Sequence, residues 1–221
     1  GALRFRRSQL TLLDDLLDAL PPAHIDDVVS HARVELQTFE GIGPGDPAAS
    51  FTGTLRPYQR DGLGWLRFLE RFGFGGCLAD DMGLGKTIQM LAHLDARSTA
   101  GTASGPSLIV APRSVIFNWM AEAARFAPRL RVLDHSGTAR DDARISAHDL
   151  VLTTYGTLRR DAARLKDVEF DYLVLDEAHA IKNASSVSAK AARLLRARHR
   201  VALSGTPVQN HLGELWSLFE F

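Results

Sequence analysis

Residues 78–88 read Leu-Ala-Asp-Asp-Met-Gly-Leu-Gly-Lys-Thr-Ile. They follow a short apolar run at residues 76–79 and lead into residues 87–96, where apolar side chains recur at helical spacing. This pattern predicts a strand, a glycine-rich turn and a helix. In such a turn the glycines let backbone N–H groups form a concave nest for anions, and the helix N-terminus adds partial positive charge. The stretch therefore predicts a phosphate-binding loop.

The side chains of this loop have defined chemical roles if it binds a nucleotide. Lys86 would reach the terminal phosphates, and the Thr87 hydroxyl would bind magnesium. The strict motif requires glycine five positions before Gly85, and Asp80 stands there instead. Carboxylates of Asp80 and Asp81 beside a phosphate site are electrostatically unfavourable. We therefore expect at least one of them to point away from the nucleotide or to lie in the outer shell of the magnesium ion.

Composition bounds the class of protein. The 221 residues are 45% hydrophobic, which is enough for a substantial core, and they carry 26 basic and 26 acidic side chains. A balanced charge gives no global attraction for nucleic acid, so any basic surface must be local. Cys77 is the one cysteine. It excludes an internal disulfide and a multi-cysteine zinc site, and we expect it to be a packing residue in a reducing compartment. No apolar run approaches the ~20 residues that span a membrane.

The chain divides into two parts by pattern. Residues 8–20 and 25–39 carry helical stripes of apolar side chains, and residues 41–50 are rich in glycine, proline and other turn residues. We predict an N-terminal helical segment and linker over residues 1–50 and a larger domain over residues 51–221.

The larger domain alternates between apolar runs and helical patterns. The runs lie near residues 76–79, 108–111, 130–133, 150–153, 172–175 and 201–203. The helical patterns lie near 57–72, 87–97, 114–126, 155–165, 186–198 and 211–219. This order predicts an α/β fold, with a parallel sheet covered by helices on both faces. Ligands bind at the carboxyl ends of the strands in such a sheet.

Two acidic residues directly follow the apolar run at residues 172–175. Asp176 and Glu177 would be costly at this position unless they face a cation, and a magnesium-bound triphosphate supplies one. Asp176 would hold magnesium directly or through water, and Glu177 could polarise the attacking water. An exposed acidic turn is the simpler interpretation of an isolated pair, but the phosphate-loop pattern argues against it.

Five motifs occur in order at residues 55–62, 80–87, 152–155, 176–179 and 203–210. Together they resemble the first motor lobe of the Swi/Snf-like ATPases, helicase-related proteins of superfamily two that translocate along double-stranded DNA. The resemblance covers residues 55–219, and the run of sequence is most similar to bacterial members. Asp81 departs conservatively from the glutamate that is usual in the family. The Asp176 to His179 motif resembles a DEAH box.

The resemblance implies a RecA-like fold with ATP and Mg²⁺ as cofactors. The implied nucleotide-binding residues are Gln59, Asp80, Asp81, Met82, Gly83, Leu84, Gly85, Lys86 and Thr87. Thr87 and Asp176 would bind the metal, and Glu177, Asp176 and Lys86 would be catalytic. Gln59 resembles the glutamine that reads the adenine edge, although by itself it could be an ordinary polar residue on a helix. Ser204 and Thr206 resemble hydroxyls that link the nucleotide site to DNA movement, with His179 as a bridging partner.

Candidate DNA contacts follow two of the predicted strands. In the family the corresponding loops touch the phosphate backbone, which implies contacts from Arg113, Thr154 and Tyr155. Each residue alone could instead belong to a solvated loop. The most basic run comprises Lys190, Arg193, Arg196, Arg198, His199 and Arg200. Residues 193, 196 and 200 would share one face of a continuous helix, either as a DNA contact or as an ordinary solvated surface.

The resemblance also implies a second RecA-like lobe, normally in the same chain, that supplies arginine fingers. We expect the chain to be one lobe of a larger motor in the bacterial cytoplasm, associated with the nucleoid when bound to DNA. The sequence is also compatible with two alternatives. One is a nucleotide-responsive binding module without turnover, and the other is a lobe of an RNA-directed helicase.

Overall fold

The structure is a computed structural model that describes residues 41–137, 140–181, 183 and 185–206. The helices predicted at 8–20, 25–39 and 211–219 lie outside the described residues. The strands are β1 (Gly76–Leu78), β2 (Ser107–Ala111), β3 (Val132–Asp134), β4 (Leu150–Thr154), β5 (Glu169–Leu175) and β6 (Arg196–Leu203). The α-helices are α1 (Pro57–Phe72), α2 (Lys86–Ala100), α3 (Arg113–Phe126), α4 (Tyr155–Leu165) and α5 (Val187–Leu194). Short 3₁₀ helices span Asp142–Ala147 and Ala178–Ile181.

The six described strands form one sheet in the order β1-β6-β5-β2-β4-β3. Every pair of neighbours is parallel, with Val174 of β5 opposite both Val201 of β6 and Ile109 of β2. All carboxyl ends therefore lie at one edge of the sheet, which we call the carboxyl edge, and all amino ends lie at the opposite amino edge. The predicted parallel α/β fold is confirmed.

The core lies on both faces of this sheet. Tyr172 and Val174 of β5 belong to one buried cluster, whereas Leu173 and Leu175 belong to the other. The first cluster includes residues of α1, α2 and α3, and the second includes residues of α4 and α5. This split follows from the two-residue period of a strand and explains why β5 is apolar throughout its centre. Cys77 packs against the second cluster, and burial raises the pKa of its thiol to about 11 despite nearby Lys86.

Local signals account for the ends of two helices that have their predicted bounds. Pro57 starts α1, where the Oε1 of Gln59 accepts a 2.9 Å hydrogen bond from Arg56 N. Gly73 ends it in the left-handed conformation, with φ 65°. Thr154 caps α4 by accepting a hydrogen bond from Thr157 N at 3.1 Å.

The basic run is not on one helix, and the predicted helix at 186–198 is wrong at its end. α5 stops at Leu194, and β6 begins at Arg196. Arg200 donates to Ala192 O at 3.3 Å and Leu195 O at 2.5 Å, so it binds carbonyls at the end of α5. β6 pairs with both β1 and β5, and this pairing overrides the helical preference of the local sequence.

The segment predicted as a linker and the two residues that follow it pack on α1 and α3. Gly45 N donates to Arg60 O of α1 at 2.7 Å, and Thr52 N donates to Phe126 O of α3 at 2.8 Å. Phe51 stacks on Phe126 with ring centroids 6.0 Å apart. The domain boundary at residue 50 stays a prediction. Within the described residues, no helix combines the length and apolar character needed to cross a membrane.

Candidate nucleotide site

The glycine-rich turn joins β1 to α2 at the carboxyl edge, as the sequence predicts. Gly83 and Gly85 have φ of 84° and 80°, a region that side-chain-bearing residues rarely adopt. There is also no space for a side chain at Gly85, because a Cβ there would lie 2.6 Å from Gln59 Nε2. The two glycines are therefore required by the turn itself and by its contact with α1.

Lys86 is buried at the centre of this turn. Its Nζ donates to Asp80 O at 2.7 Å and to Asp81 O at 3.1 Å. These two bonds hold the turn closed around the ammonium group. An ammonium has three N–H donors, so one remains for a phosphate oxygen.

The two acidic residues of the loop have different surroundings. Asp80 Oδ2 accepts a 2.7 Å hydrogen bond from Gln89 Nε2, and Gln89 is fully buried on α2. Asp81 is exposed. The amide of Gln89 thus stabilises the Asp80 carboxylate at the start of the loop. Gln89 is a site residue that the sequence analysis missed, since a single glutamine within a helix carries no motif.

Gln59 connects the start of α1 to the loop. Its Nε2 donates to Leu84 O at 3.1 Å, while its Oε1 caps the helix. Tyr58 donates its hydroxyl to the same Leu84 carbonyl at 3.1 Å, and it too was missed. The side-chain amide of Gln59 has a second N–H that can donate to a ligand. The contact of Gln59 with adenine stays a prediction.

Asp176 lies at the end of β5 and is only 8% exposed. Its Oδ2 accepts from Trp119 Nε1 at 2.8 Å, and its Oδ1 accepts from Glu177 N at 2.9 Å. Burial raises the pKa of Asp176 above its ordinary value, and the two hydrogen bonds offset this only in part. The buried carboxylate would therefore be stabilised by an added cation.

Glu177 has a φ of 49°, which makes it the one side-chain-bearing residue with positive φ in the described part of the chain. This conformation costs about 1–2 kcal/mol and is typical of functional turns. Its Oε2 lies 3.4 Å from Nδ1 of His179, whose side chain is about half exposed. The carboxylate of Glu177 thus lies beside His179 in a strained turn.

The turn after β6 lies between the two halves of the candidate nucleotide site, because β6 separates β1 from β5. Ser204 is buried, and its N donates to Leu78 O at 3.1 Å. Thr206 N donates to Ser204 Oγ at 3.2 Å. A Cβ on Gly205 would lie 3.0 Å from Met82 Cγ, so this turn touches the phosphate loop. A bridge from His179 to Ser204 and Thr206 stays a prediction.

The candidate DNA residues lie where two neighbouring strands, β2 and β4, end and the next helices begin, at the same edge of the sheet. Arg113 begins α3 after β2 and is exposed, and Thr154 is half-buried at the cap of α4. Ala111 pairs with Thr154 across β2 and β4, which brings these two helix starts together. Tyr155 differs, because its side chain is buried and its hydroxyl donates to Asp176 O at 2.8 Å. Burial also raises its pKa well above the ordinary value. A DNA contact through the Tyr155 side chain is not supported by this placement.

The residues at this edge fit a magnesium ion held mainly by a nucleotide. The described residues contain no cluster of three or more His, Cys, Asp or Glu side chains suited to a metal. Mg²⁺ commonly takes one or two protein oxygen ligands and completes its shell with phosphates and water. The Thr87 hydroxyl and the Asp176 carboxylate are such oxygens. Each Asp176 oxygen accepts one hydrogen bond and retains a lone pair.

A family model described as the SNF2-related domain matches residues 58–221. The chain belongs to the SNF2-related family. It is similar to the putative ATP-dependent helicase/translocase YwqA of Bacillus subtilis, with 47% identity over 194 residues, which is 85% of this chain and 21% of YwqA. It is also similar to the TATA-binding protein-associated factor MOT1 of Saccharomyces cerevisiae, with 43% identity over 183 residues, covering 76% of this chain and 10% of MOT1.

Solved structures give the same relationship at the level of the fold. The Sulfolobus solfataricus SWI2/SNF2 ATPase core in complex with dsDNA has a TM-score of 0.73 and 42% identity to this chain. The match covers 82% of this chain and 37% of that one. The likeness confirms the RecA-like lobe. The chain spans about a fifth or less of the length of these curated relatives.

Proposed function

We propose that this chain is the ATP-binding and hydrolysing lobe of a DNA-dependent ATPase that translocates on double-stranded DNA and remodels protein–DNA complexes. The observation that carries the proposal is the meeting of the Lys86 loop, the Asp176–Glu177 turn and the Ser204 turn at one edge of the sheet. The membership of the SNF2-related family supports it.

Each residue of the site has a role in this proposal. Lys86 donates its remaining N–H to the terminal phosphates, and Thr87 and Asp176 hold the magnesium ion. The ion supplies positive charge that neutralises the phosphates during transfer. Glu177 accepts the proton of the attacking water, and its half-buried position beside His179 keeps it near the site without burying its charge.

Contact with DNA is proposed at the starts of α3 and α4. Arg113 offers a charged donor, and the first turn of each helix offers backbone N–H groups. Such contacts read phosphates and not bases, so affinity should fall with salt and depend little on sequence. Arg113→Ala should lower the slope of log affinity against log salt by about one. A strong preference for one duplex sequence at fixed salt would contradict this mode of binding.

A second lobe is part of the proposal. Phosphoryl transfer spreads negative charge over the transferred group, and an arginine finger supplies on the order of 10³ to 10⁵ in rate. We propose that a second RecA-like lobe provides it. The 221-residue chain alone should then bind ATP weakly and hydrolyse it barely above background, with or without DNA. Robust DNA-stimulated hydrolysis by this chain, abolished by Lys86→Ala, would contradict the need for a second lobe.

The alternatives differ in what they predict. A binding module would bind ATP but show no DNA-stimulated hydrolysis even when a second lobe is present, and an RNA-directed lobe would respond to RNA. The similarity to a SWI2/SNF2 core solved with dsDNA favours duplex DNA.

Calorimetric titration of magnesium-ATP into the chain tests the nucleotide site. Lys86→Ala should weaken binding by about 2–3 kcal/mol, because it removes a charge-assisted contact. Lys166→Ala is the matched control, since Lys166 is an exposed lysine after α4, outside the loop. Equal affinity of the two folded variants would rule out this site.

A further inference from the structure

Asp176 is held from both faces of the sheet. Trp119, on α3, donates its indole N–H to Asp176 Oδ2 at 2.8 Å and belongs to the core cluster of the first face. Tyr155, on α4, donates its hydroxyl to Asp176 O at 2.8 Å and belongs to the cluster of the second face. Both side chains are buried, at 0% and 8% exposure. Two helices thus fix one residue of the nucleotide site.

The same two helices begin at the candidate DNA surface. Arg113 is the first residue of α3, and Trp119 follows six residues later, which is ~9 Å along the helix axis. Tyr155 directly follows the cap residue Thr154 at the start of α4. On α3, less than two helical turns and one hydrogen bond therefore connect the helix start to Asp176. On α4, the first residue itself makes the hydrogen bond. A small shift of either helix start would move a donor that binds Asp176.

The chemistry of the two donors suits positioning. A tryptophan N–H can only donate, and it has a fixed direction. It therefore restrains Asp176 Oδ2 while leaving a lone pair free. The tyrosine hydroxyl binds the backbone carbonyl, so it restrains the peptide from which the carboxylate extends. Together they restrain the side chain and the main chain of the same residue.

We propose that Trp119 and Tyr155 are positioning residues that orient Asp176 for magnesium and transmit DNA contact at the starts of α3 and α4 to the nucleotide site. This inference rests on the proposed function. In this proposal, α3 and α4 connect the DNA contacts to the nucleotide site, and this connection is separate from the turn after β6. Because both side chains are buried, the proposal assigns neither of them a direct contact with the nucleotide or the DNA.

Magnesium binding in the chain itself tests the first half of this proposal. Trp119→Phe keeps an aromatic ring and removes the donor, so magnesium affinity of the ATP complex should fall about 10-fold, as is typical for the loss of a residue that orients a metal ligand. Trp65→Phe is the matched control, because Trp65 is half-buried against the same core cluster. Equal magnesium affinity in the Trp119→Phe and Trp65→Phe proteins would overturn the positioning role.

Fluorescence gives a readout that leaves Trp119 in place. Replacing the other two tryptophans, in the double variant Trp65→Phe, Trp216→Phe, leaves Trp119 as the single tryptophan. Its emission should change when magnesium is added to the ATP-saturated chain. The magnesium concentration at the midpoint of this change should equal the one that calorimetry gives. If calorimetry shows magnesium-dependent binding and Trp119 emission stays constant, the inference is wrong and the proposed function stands. If the unsubstituted chain binds no magnesium-ATP, the proposed function fails and this inference fails with it.

DNA coupling requires a protein that joins this lobe to a second lobe. Tyr155→Phe removes one hydroxyl and should lower the ratio of DNA-stimulated to DNA-free hydrolysis about fivefold or more, with DNA affinity unchanged. Tyr172→Phe is the control, since it removes a buried hydroxyl that binds His93 at 2.8 Å away from this site. A purely structural role would lower stability in both variants and leave the ratio intact, and that result would overturn the coupling.

Discussion

A buried aspartate lies near each end of β5, Asp171 within the strand and Asp176 directly after it, and their hydrogen-bond partners differ. Asp171, towards the amino edge, receives two hydrogen bonds from Arg97 at 2.8 and 2.7 Å, and Arg97 also pairs with Glu70. Asp176, at the carboxyl edge, receives neutral N–H donors from Trp119 and from the backbone. Both carboxylates are almost fully buried, so the difference lies in the charge of their partners.

The pKa values of the two aspartates record this difference. Burial acts to raise the pKa of Asp171, but the hydrogen bonds and charge of Arg97, with donors from Ser104, outweigh it and hold the pKa below its ordinary value. Burial raises the pKa of Asp176, and its partners do not reverse the effect. The carboxylate of Asp171 is thus neutralised inside the protein, whereas that of Asp176, the proposed magnesium ligand, has no cationic side chain bonded to it.

The amino edge also holds a cleft of about 520 Å³, lined in part by Arg67, Arg97, Arg198 and His199. It is separate from the candidate nucleotide site, which lies at the opposite edge.

The largest effect on stability is expected from Arg97→Met. The substitution leaves Asp171 buried without its cation, which should lower the free energy of unfolding by about 3–5 kcal/mol in urea denaturation. Arg131→Met is the matched control, because Arg131 makes an equivalent two-bond pair with Asp149 but is 63% exposed. It should cause a much smaller loss. Similar losses in the two variants would mean that the Arg97–Asp171 pair has no special weight in the fold.

At the carboxyl edge we expect loss of rate without loss of stability. Glu177→Gln keeps the shape of the side chain and removes the base, so a protein with both lobes should bind ATP and hydrolyse it at least ~100-fold more slowly, about 2.7 kcal/mol in the barrier. Glu169→Gln, at the exposed start of β5, is the control. Near-normal turnover in single-turnover kinetics would remove Glu177 from the role of base.

The amino edge should also make the fold sensitive to acid. Burial, followed by the charge of Arg97, lowers the pKa of His93 to about 3 and that of His199 to about 4. Both histidines stay neutral in the fold at a pH where the unfolded chain, with pKa ~6.5, binds protons. Stability should therefore fall as the pH drops below about 6.5, by about 2 kcal/mol per histidine between pH 6.5 and 5.

His93→Gln should remove one histidine's share of this slope, and His148→Gln serves as a control on a half-buried histidine beyond β3. Urea denaturation at several pH values measures both. An unchanged slope in His93→Gln would contradict the assignment.

The sequence predicts most of the fold because its strongest signals are local. Pro57 and Gly73 bound α1, and the alternation of apolar runs with helical patterns determines the parallel sheet. The end of α5 could not be predicted, because residues 194–200 favour a helix locally and become a strand only through pairing with β1 and β5.

The sequence likewise predicts some residues of the candidate site and not others. Lys86, Asp176 and Ser204 carry motifs and meet at one edge as expected. Trp119 reaches Asp176 across 57 positions of sequence, and Gln89 reaches Asp80 from within a helix. Such contacts depend on how helices pack over the sheet, so spacing along the chain gives no signal for them.

One thermal-unfolding experiment tests the contrast between the two aspartates most directly. The Tm is measured for three proteins: Asp171→Asn, Asp176→Asn and the unsubstituted chain. Each is melted with and without magnesium-ATP at about ten times the dissociation constant of the unsubstituted chain. At this concentration, binding should add ~1.4 kcal/mol to the free energy of unfolding of the unsubstituted chain and raise its Tm by about 4 °C. Asp171→Asn should melt at a lower temperature and keep this shift. Asp176→Asn should melt close to the unsubstituted chain, since relief from a buried charge offsets one lost hydrogen bond, and retain about a third of the shift or less. If Asp176→Asn keeps the full shift while Asp171→Asn loses it, the assignment of the carboxyl edge as the nucleotide site is contradicted.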